Sequence, residues 1–278
     1  MTPLRIACLV QDSPPLRHFV SRIHEVLPVH LIVVERGDTA TGIAARVQQM
    51  SWADLAAAGR NRVRARLAVA RQKDDWQRWF GNRWQAFPSD LSRLDVTGIN
   101  DPAVSERLIA EGIDVVVDHG TTIVRDAVLA SVPTALNLHW GLSPYYRGTA
   151  CTEWALVNWD PYSIGVTIHR LARQIDGGGI VAQARAQVSA DDTPHRLDMQ
   201  LTALGTELTI RILQRIASGE IPVEHPQDFS RGFLTLNRQW SRPLARQIDY
   251  LLENSLIGQM LKTPARRGLV PIVELDGP

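Results

Sequence analysis

An amide, two imidazoles and a carboxylate fall close together between Asn137 and Asp176. The apolar run 134–138 reads as a buried strand, which sets Asn137 and His139 two residues apart on one face. Pro144, Tyr145, Tyr146 and Gly148 then end the strand in a shaped loop. Residues 163–171 read as a second strand carrying His169. The loop after it sets Asp176 before Gly177, Gly178 and Gly179, where no side chain crowds a ligand.

Such groups on strand ends suit acyl transfer. Asn137 can hydrogen-bond a carbonyl oxygen, and a protonated His139 can stabilise the oxyanion that develops there. Asp176 can hold the imidazolium and relay the proton lost by an attacking amine. An amine is nucleophile enough once deprotonated, so no activated Ser or Cys is required. His169, on a buried strand facing the Asp176 loop, is expected to order that loop.

Asn137, His139, Pro144, Tyr146, Arg147 and Gly148, followed by Gly165, Thr167 and His169 and then by Asp176 and Gly178, carry a resemblance. They resemble the folate-dependent formyltransferases, whose pattern is Asn-x-His-x-Ser-x-x-Pro-x-Tyr-Arg-Gly, Gly-x-Thr-x-His, and an Asp-x-Gly seven residues on. Gly141 stands where the family usually has Ser. The similarity is close over residues 100–215 and loose over the first 35 residues. It implies a Rossmann-like α/β fold, a mostly parallel sheet with helices on both faces, and a catalytic trio of Asn137, His139 and Asp176 with His169 as second histidine. It further implies 10-formyltetrahydrofolate as formyl donor, its pterin against backbone groups of His119, Gly120, Thr121, Thr122 and Ile123, with Gly177 and Gly178 opposite. Arg147 would order the catalytic loop or clamp an anionic acceptor. Gln11, Asp12 and Tyr146 would join it on the acceptor side.

The rest of the chain narrows the class. Its 278 residues suffice for a core without staples, and Cys8 and Cys151 are too far apart in sequence for a metal-ligand pair or disulfide framework. A reducing, cytoplasmic setting is expected, because no signal pattern precedes the first strand and no apolar run reaches the ~20 residues of a membrane span. Net charge is +1, which argues against a dedicated nucleic-acid binder. The two lysines, Lys73 and Lys262, sit in no glycine-rich phosphate loop, and paired metal-ligand spacings are lacking, so neither a P-loop nor a metal is expected.

These groups must be held by a sheet. Residues 4–10, 15–27 and 29–35 read as strand, helix, strand, the opening of a parallel α/β layer. The first loop, Gln11 to Pro14, lacks the glycines with which the purine-pathway relatives cradle a phosphate. Residues 51–87 read as a basic helical insertion, with Trp76, Trp79, Phe80 and Trp84 on one face and Arg60, Arg62, Arg64, Arg66, Arg71, Arg78 and Arg83 beside them. Helices are expected at 100–111, 150–159 and 195–217, and strands at 115–117 and from 180. Composition changes at Gly219, and 241–261 reads as one more helix.

The expected organisation is a catalytic domain over 1–218 and a small extension over 219–278. That tail is shorter than the barrel of methionyl-tRNA formyltransferases and resembles the variable appendages of sugar formyltransferases. The expected function is therefore formyl transfer to a primary amine, with an amino sugar on a nucleotide as small-molecule acceptor. Nucleic acid and membrane are not expected as partners, and a homodimer is compatible with the family. Competing readings are a formyl-folate hydrolase, formylation of a hydroxylamine, and a non-catalytic folate-binding relative, the last disfavoured because the trio is intact.

Overall fold

The structure, a computed structural model, describes residues 3–36, 72–239, 241–263 and 269–276. Most of the Arg/Trp-rich insertion, including Arg60, Arg62, Arg64, Arg66 and Arg71, lies outside the described residues.

Nearly unbroken apolar runs build the centre of the sheet, as strands buried on both faces require, while the edge strand at 92–96 alternates in exposure. The strands are β1 (Ile6–Gln11), β2 (Val29–Glu35), β3 (Ser92–Val96), β4 (Val115–His119), β5 (Thr134–His139), β7 (Gly165–Arg170) and β8 (Ile180–Arg185). A short β6 (Tyr146–Gly148) lies outside that layer. The sheet order is β3-β2-β1-β4-β5-β7-β8; β7 alone runs against its neighbours, antiparallel to both β5 and β8. Strand order turns back between β1 and β4, and the crevice above such a switch point is where open α/β sheets hold ligands. The fold class expected from the sequence is the one observed.

Two cores flank the sheet. On one face Ile6, Cys8, Val117, Leu136 and Leu138 pack against the helices Pro14–Val26 and Pro194–Ala217. On the other, Ala7, Leu9 and Val116 pack against the helix Pro102–Ala110. Helix starts follow side-chain chemistry: Asp101 accepts from Ala103 N and Thr193 from Arg196 N, each with Pro at the first turn. None of the described helices is long and apolar enough to cross a membrane.

Local expectations shift in two places. The aromatic face at 76–84 is broken, because the helical residues 72–80 end at Gly81, whose φ of +59° turns the chain into the 3-10 helix Gly81–Trp84. Phe80 is fully buried and stacks on His18 at 4.2 Å, whereas Trp79 is 42% exposed. The helix expected over 241–261 is two, Arg242–Glu253 and Leu256–Lys262, because Ser255 adopts a left-handed φ of +51° between them.

The tail is stitched to the sheet region. Strand β9 (Phe233–Thr235) pairs in parallel with β6, His225 bridges Ile180, and Gln183 bonds the Val273 backbone. Gly148 makes the β6–β9 contact feasible: its φ is +92°, and a Cβ there would collide with the Thr235 carbonyl. Gly148→Ala should therefore lower thermal stability by about 1–3 kcal/mol, several degrees of Tm, whereas Gly98→Ala, where a Cβ meets nothing within 4 Å, should leave Tm nearly unchanged. Calorimetric melts of both variants check this; equal shifts would contradict the backbone argument.

Candidate active site

Strand register builds the site before any side chain is considered. Asp118 on β4 pairs with Asn137 on β5, and Asn137 pairs with His169 on β7. Opposite residues in neighbouring strands point to the same face, so Asp118, Asn137 and His169 form one polar row across three strands. His139, two residues after Asn137, stands in the next row opposite Thr167. All of these are at least nine-tenths buried.

The Asn137 amide bridges the row. Its Nδ2 donates to the Asp118 carbonyl (3.1 Å) and carboxylate (2.9 Å), and its Oδ1 accepts from His169 Nε2 at 3.1 Å. The opposite orientation would set the amide oxygen against two acceptors. His169 Nδ1 donates to the Arg170 carbonyl at 2.7 Å. These two bonds fix the His169 ring, with Nε2 3.5 Å from Asp176 Oδ1.

Asp176 arrives from the loop after β7, in a left-handed conformation with φ +46° that Asp tolerates better than most residues. Its Oδ2 accepts from Gly148 N at 2.6 Å and lies 3.4 Å from His139 Nδ1. Burial by itself raises this carboxyl. The His139 and His169 charges and the hydrogen bonds from His169 and Gly148 outweigh it and hold Asp176 well below the usual carboxylate range. His139 Nε2 donates to the Tyr146 carbonyl at 3.0 Å, which leaves Nδ1 as the nitrogen free to exchange a proton.

Gly141 sits against this imidazole. A Cβ there would strike His139 Nε2 and stand 2.6 Å from the Tyr146 carbonyl, which explains why this chain carries glycine at that position. Thr167 shapes the same loop, donating to the Gly141 carbonyl (2.6 Å) and accepting from Ser143 N (3.0 Å), while Gln183 bonds both Thr167 and the Ser143 carbonyl. The Ser143–Pro144 peptide is cis.

A cavity of about 900 Å³ opens above the strand ends, and Asn137, His139, Asp176, His169 and Gln11 reach it. Gly120, Thr121, Thr122 and Ile123 form one wall. Glu35, buried at the end of β2, fixes that wall by accepting from Thr122 N (2.7 Å), Thr122 Oγ1 (2.6 Å) and Ile99 N (2.9 Å).

Other expected site residues lie elsewhere. Gly177 and Gly178 do not line the cavity: a Cβ on Gly178 would strike the Arg170 carbonyl, so these glycines let the loop fold under itself. Tyr146 is buried and donates from its hydroxyl to Asp160. Arg147 is only 5% exposed, stacks over Phe229 at 4.2 Å and reaches the Ile175 carbonyl. That is a loop-ordering position, outside the cavity wall. Asp12 pairs with Arg17 at 2.6 Å and is likewise no part of the wall. His119 reaches the cavity from the opposite sheet face, between Phe19 and Trp140. Glu35 and Gln183 escaped the sequence reading as functional residues, and Thr167 entered it only as a position of the Gly-x-Thr-x-His motif, without its role in shaping the loop.

Burial, eased by the Thr121 hydroxyl at 2.5 Å and reinforced by Glu35 and Asp176, pushes the Asp118 carboxyl up to about 7. A raised folded-state value favours the protonated form. Its stabilisation is complete below the unfolded value near 3.8 and is lost as pH rises through about 7. Asp118→Asn, which mimics the protonated acid, should thus shift Tm more favourably at pH ~8 than at pH ~5. Equal shifts at both pH values, read by thermal melts, would contradict this.

Residues 31–213 match the formyl transferase family. A methionyl-tRNA formyltransferase of Chlorobium chlorochromatii is 30% identical over 188 residues, covering 65% of this chain, and the chain spans only 58% of that relative's length. A solved 4-N formyltransferase from Francisella tularensis overlays with a TM-score of 0.54 at 16% identity, covering 89% of this chain and 86% of that one. An N-formyltransferase from Helicobacter canadensis, solved with folinic acid and dTDP-3-aminofucose, overlays with a TM-score of 0.53 at 14% identity, covering 86% and 72%. These likenesses support the fold; the sequence match over residues 31–213, which include Asp118, Asn137, His139, His169 and Asp176, establishes that the chain belongs to the formyl transferase family.

Proposed function

We propose that this protein transfers a formyl group from 10-formyltetrahydrofolate to a primary amine, with a nucleotide-linked amino sugar as acceptor. The observation that carries the reading is His139 Nδ1 beside a buried, ionised Asp176 at the floor of an open cavity, with the Asn137 amide two residues away.

The cavity suits a reduced folate on one side. Ile123 and Leu171 offer apolar flanks, and the Glu35 clamp keeps the Thr121–Ile123 backbone in a fixed shape. Gly120, Thr121, Thr122 and Ile123 would hold the pterin. When bound, that group supplies a formyl carbon activated for attack by nitrogen. Asn137 and a protonated His139 then act on the acyl oxygen as charge develops there, His139 through Nδ1. Asp176 balances the imidazolium. His139 would pass its proton to the departing folate nitrogen as the bond from that nitrogen to the formyl carbon breaks; because the low proton affinity of Asp176 depends on the two histidine charges, its restraint then eases. The carboxylate then becomes the nearest base for the proton the amine loses. The second imidazole, already committed to Asn137 and the Arg170 carbonyl, orders Asp176.

Support for an amino-sugar acceptor comes from the Helicobacter canadensis neighbour, solved with dTDP-3-aminofucose. A second reading, formylation of an aminoacyl-tRNA, is favoured by the methionyl-tRNA formyltransferase of Chlorobium chlorochromatii. Incubation with 10-formyltetrahydrofolate and either a dTDP-linked amino sugar or initiator Met-tRNA separates them, read by mass gain of one formyl group. Efficient formylation of the tRNA alone would replace the first reading with the second, and formylation of neither would sink formyl transfer to both classes.

Two variant sets test the mechanism. His139→Ala, Asn137→Ala and Asp176→Asn should each reduce turnover at least ~100-fold while the protein stays folded. His139→Ala with near wild-type turnover would overturn the scheme. Gly141→Ala, which crowds His139 Nε2, should cost turnover of a similar order, ~100-fold, through misplacement of the imidazole. Unchanged turnover in that variant would mean that the Tyr146 carbonyl contact does not position His139.

A further inference from the structure

The cavity has a second wall, on the sheet face away from the polar row. Trp140, beside His139, meets the His119 ring there at 5.2 Å. Glu153, in the first turn of the helix Cys151–Val157, and Asp198, in the first turns of the helix Pro194–Ala217, reach the same cavity.

Hydrogen-bond acceptors without donors collect on this wall. Among the described residues, neither carboxylate forms an ion pair, and the one bond to Glu153 comes from its own backbone N–H. His195, three residues before Asp198, turns instead to Asp75 at 3.6 Å. His119 is 5% exposed and bonds the Leu138 carbonyl through its ring, while its Nε2 has no partner. Burial pushes His119 down to about 4, so at neutral pH that orphan nitrogen is a lone-pair acceptor. Burial and the neighbouring Glu153 charge push Asp198 up to about 8, and burial also raises Glu153. With Asp198 up at about 8 the empty pair holds a proton near neutral pH; a cationic donor would displace that proton and pair with both carboxylates, while a further donor meets the unsatisfied His119 nitrogen. Trp140 Nε1, also unpartnered, adds a donor that suits a hydroxyl.

We propose that Glu153, Asp198 and His119 bind a positively charged amino group that the acceptor carries in addition to the amine that is formylated. The acceptor is on this view a diamino compound, a diamino sugar in the simplest case. Its ammonium sits between the carboxylates, its hydroxyls meet Trp140 Nε1, and its other amine faces His139. Glu153, Asp198, His119 and His139 line one cavity of about 900 Å³, which one acceptor can occupy with a group at each end. The proposal rests on the reading of the protein as an amine formyltransferase and adds the charge of the acceptor to it.

Glucosamine and a diaminoglucose of matched ring and hydroxyl pattern distinguish the cases, by calorimetric titration into the full-length wild type, Glu153→Gln and Asp198→Asn. The diamino sugar should bind wild type at least ~10-fold tighter, a preference typical of a charge-assisted bond. Each variant should lose most of that preference. Equal binding of the two sugars to wild type, no binding of either, or a preference that persists in both variants overturns the cation site. Should one variant fail to fold, the wild-type preference and the other variant still decide. Formylation of the same sugars is read separately by mass. Turnover without a diamino preference removes the cation site alone, whereas preference without turnover on any amine removes the transferase reading and leaves the cation site standing.

Discussion

Everything at this site depends on one strand being reversed. Because β7 runs antiparallel to β5, its register sets His169 directly opposite Asn137, and the parallel β4–β5 pair sets Asp118 opposite Asn137 from the other side. A shift of one residue in either register would turn the paired side chain to the far face of the sheet. The row also makes a circuit of charge: Asn137 couples Asp118 to His169, and Asp176 spans His169 and His139. No group in it has its protonation decided alone. Burial opposes ionisation of Asp176, and the neighbouring His139 and His169 charges with the Gly148 hydrogen bond keep it ionised.

Positions outside the sheet then tune that circuit. Asp176 is held by Gly148 N from the loop after β5, and its backbone carbonyl and that of Gly178 accept from Gln227 in the tail at 2.8 and 2.6 Å. Arg147 bridges the same loop and Phe229. Three segments, carrying His139, Gly148 and His169, thus converge on one carboxylate while the tail holds the backbone around it, and glycine is needed where the Gly148 strand meets the tail. The tail is accordingly part of what positions the chemistry, even though its residues carry no motif.

Asymmetry between the two walls of the cavity is the second theme. The wall at 120–123 is braced by Glu35, whose oxygens are occupied by donors of that loop. Across the strand ends, Glu153, Asp198 and His119 have no such donors. In the first case a buried carboxylate is satisfied internally; in the second, partly exposed carboxyl groups and the buried, unpartnered His119 nitrogen face the cavity. The same residue types therefore carry opposite meanings, and only their partners distinguish them.

Much of the layer was legible in the chain. The runs at 29–35 and 134–138 are largely apolar, as doubly buried strands require, the segment from 180 alternates, and the caps Asp101 and Thr193 with their following prolines mark helix starts through local bonds. Spacing alone put Asn137 and His139 on one face, because strand side chains alternate. Tertiary structure decided the rest. Arg147 and Tyr146 carry groups suited to a substrate, yet burial takes both out of the cavity wall. Gly177 and Gly178 look like open floor but are pressed against their own loop. Glu153 and Asp198 are unremarkable in sequence and meet only because two helices converge on one cavity. Local pattern determines which face a residue takes, since that depends on a few neighbouring dihedrals. Partnership, burial and the direction of a pKa shift depend on segments brought together across the whole fold, and those no local pattern encodes.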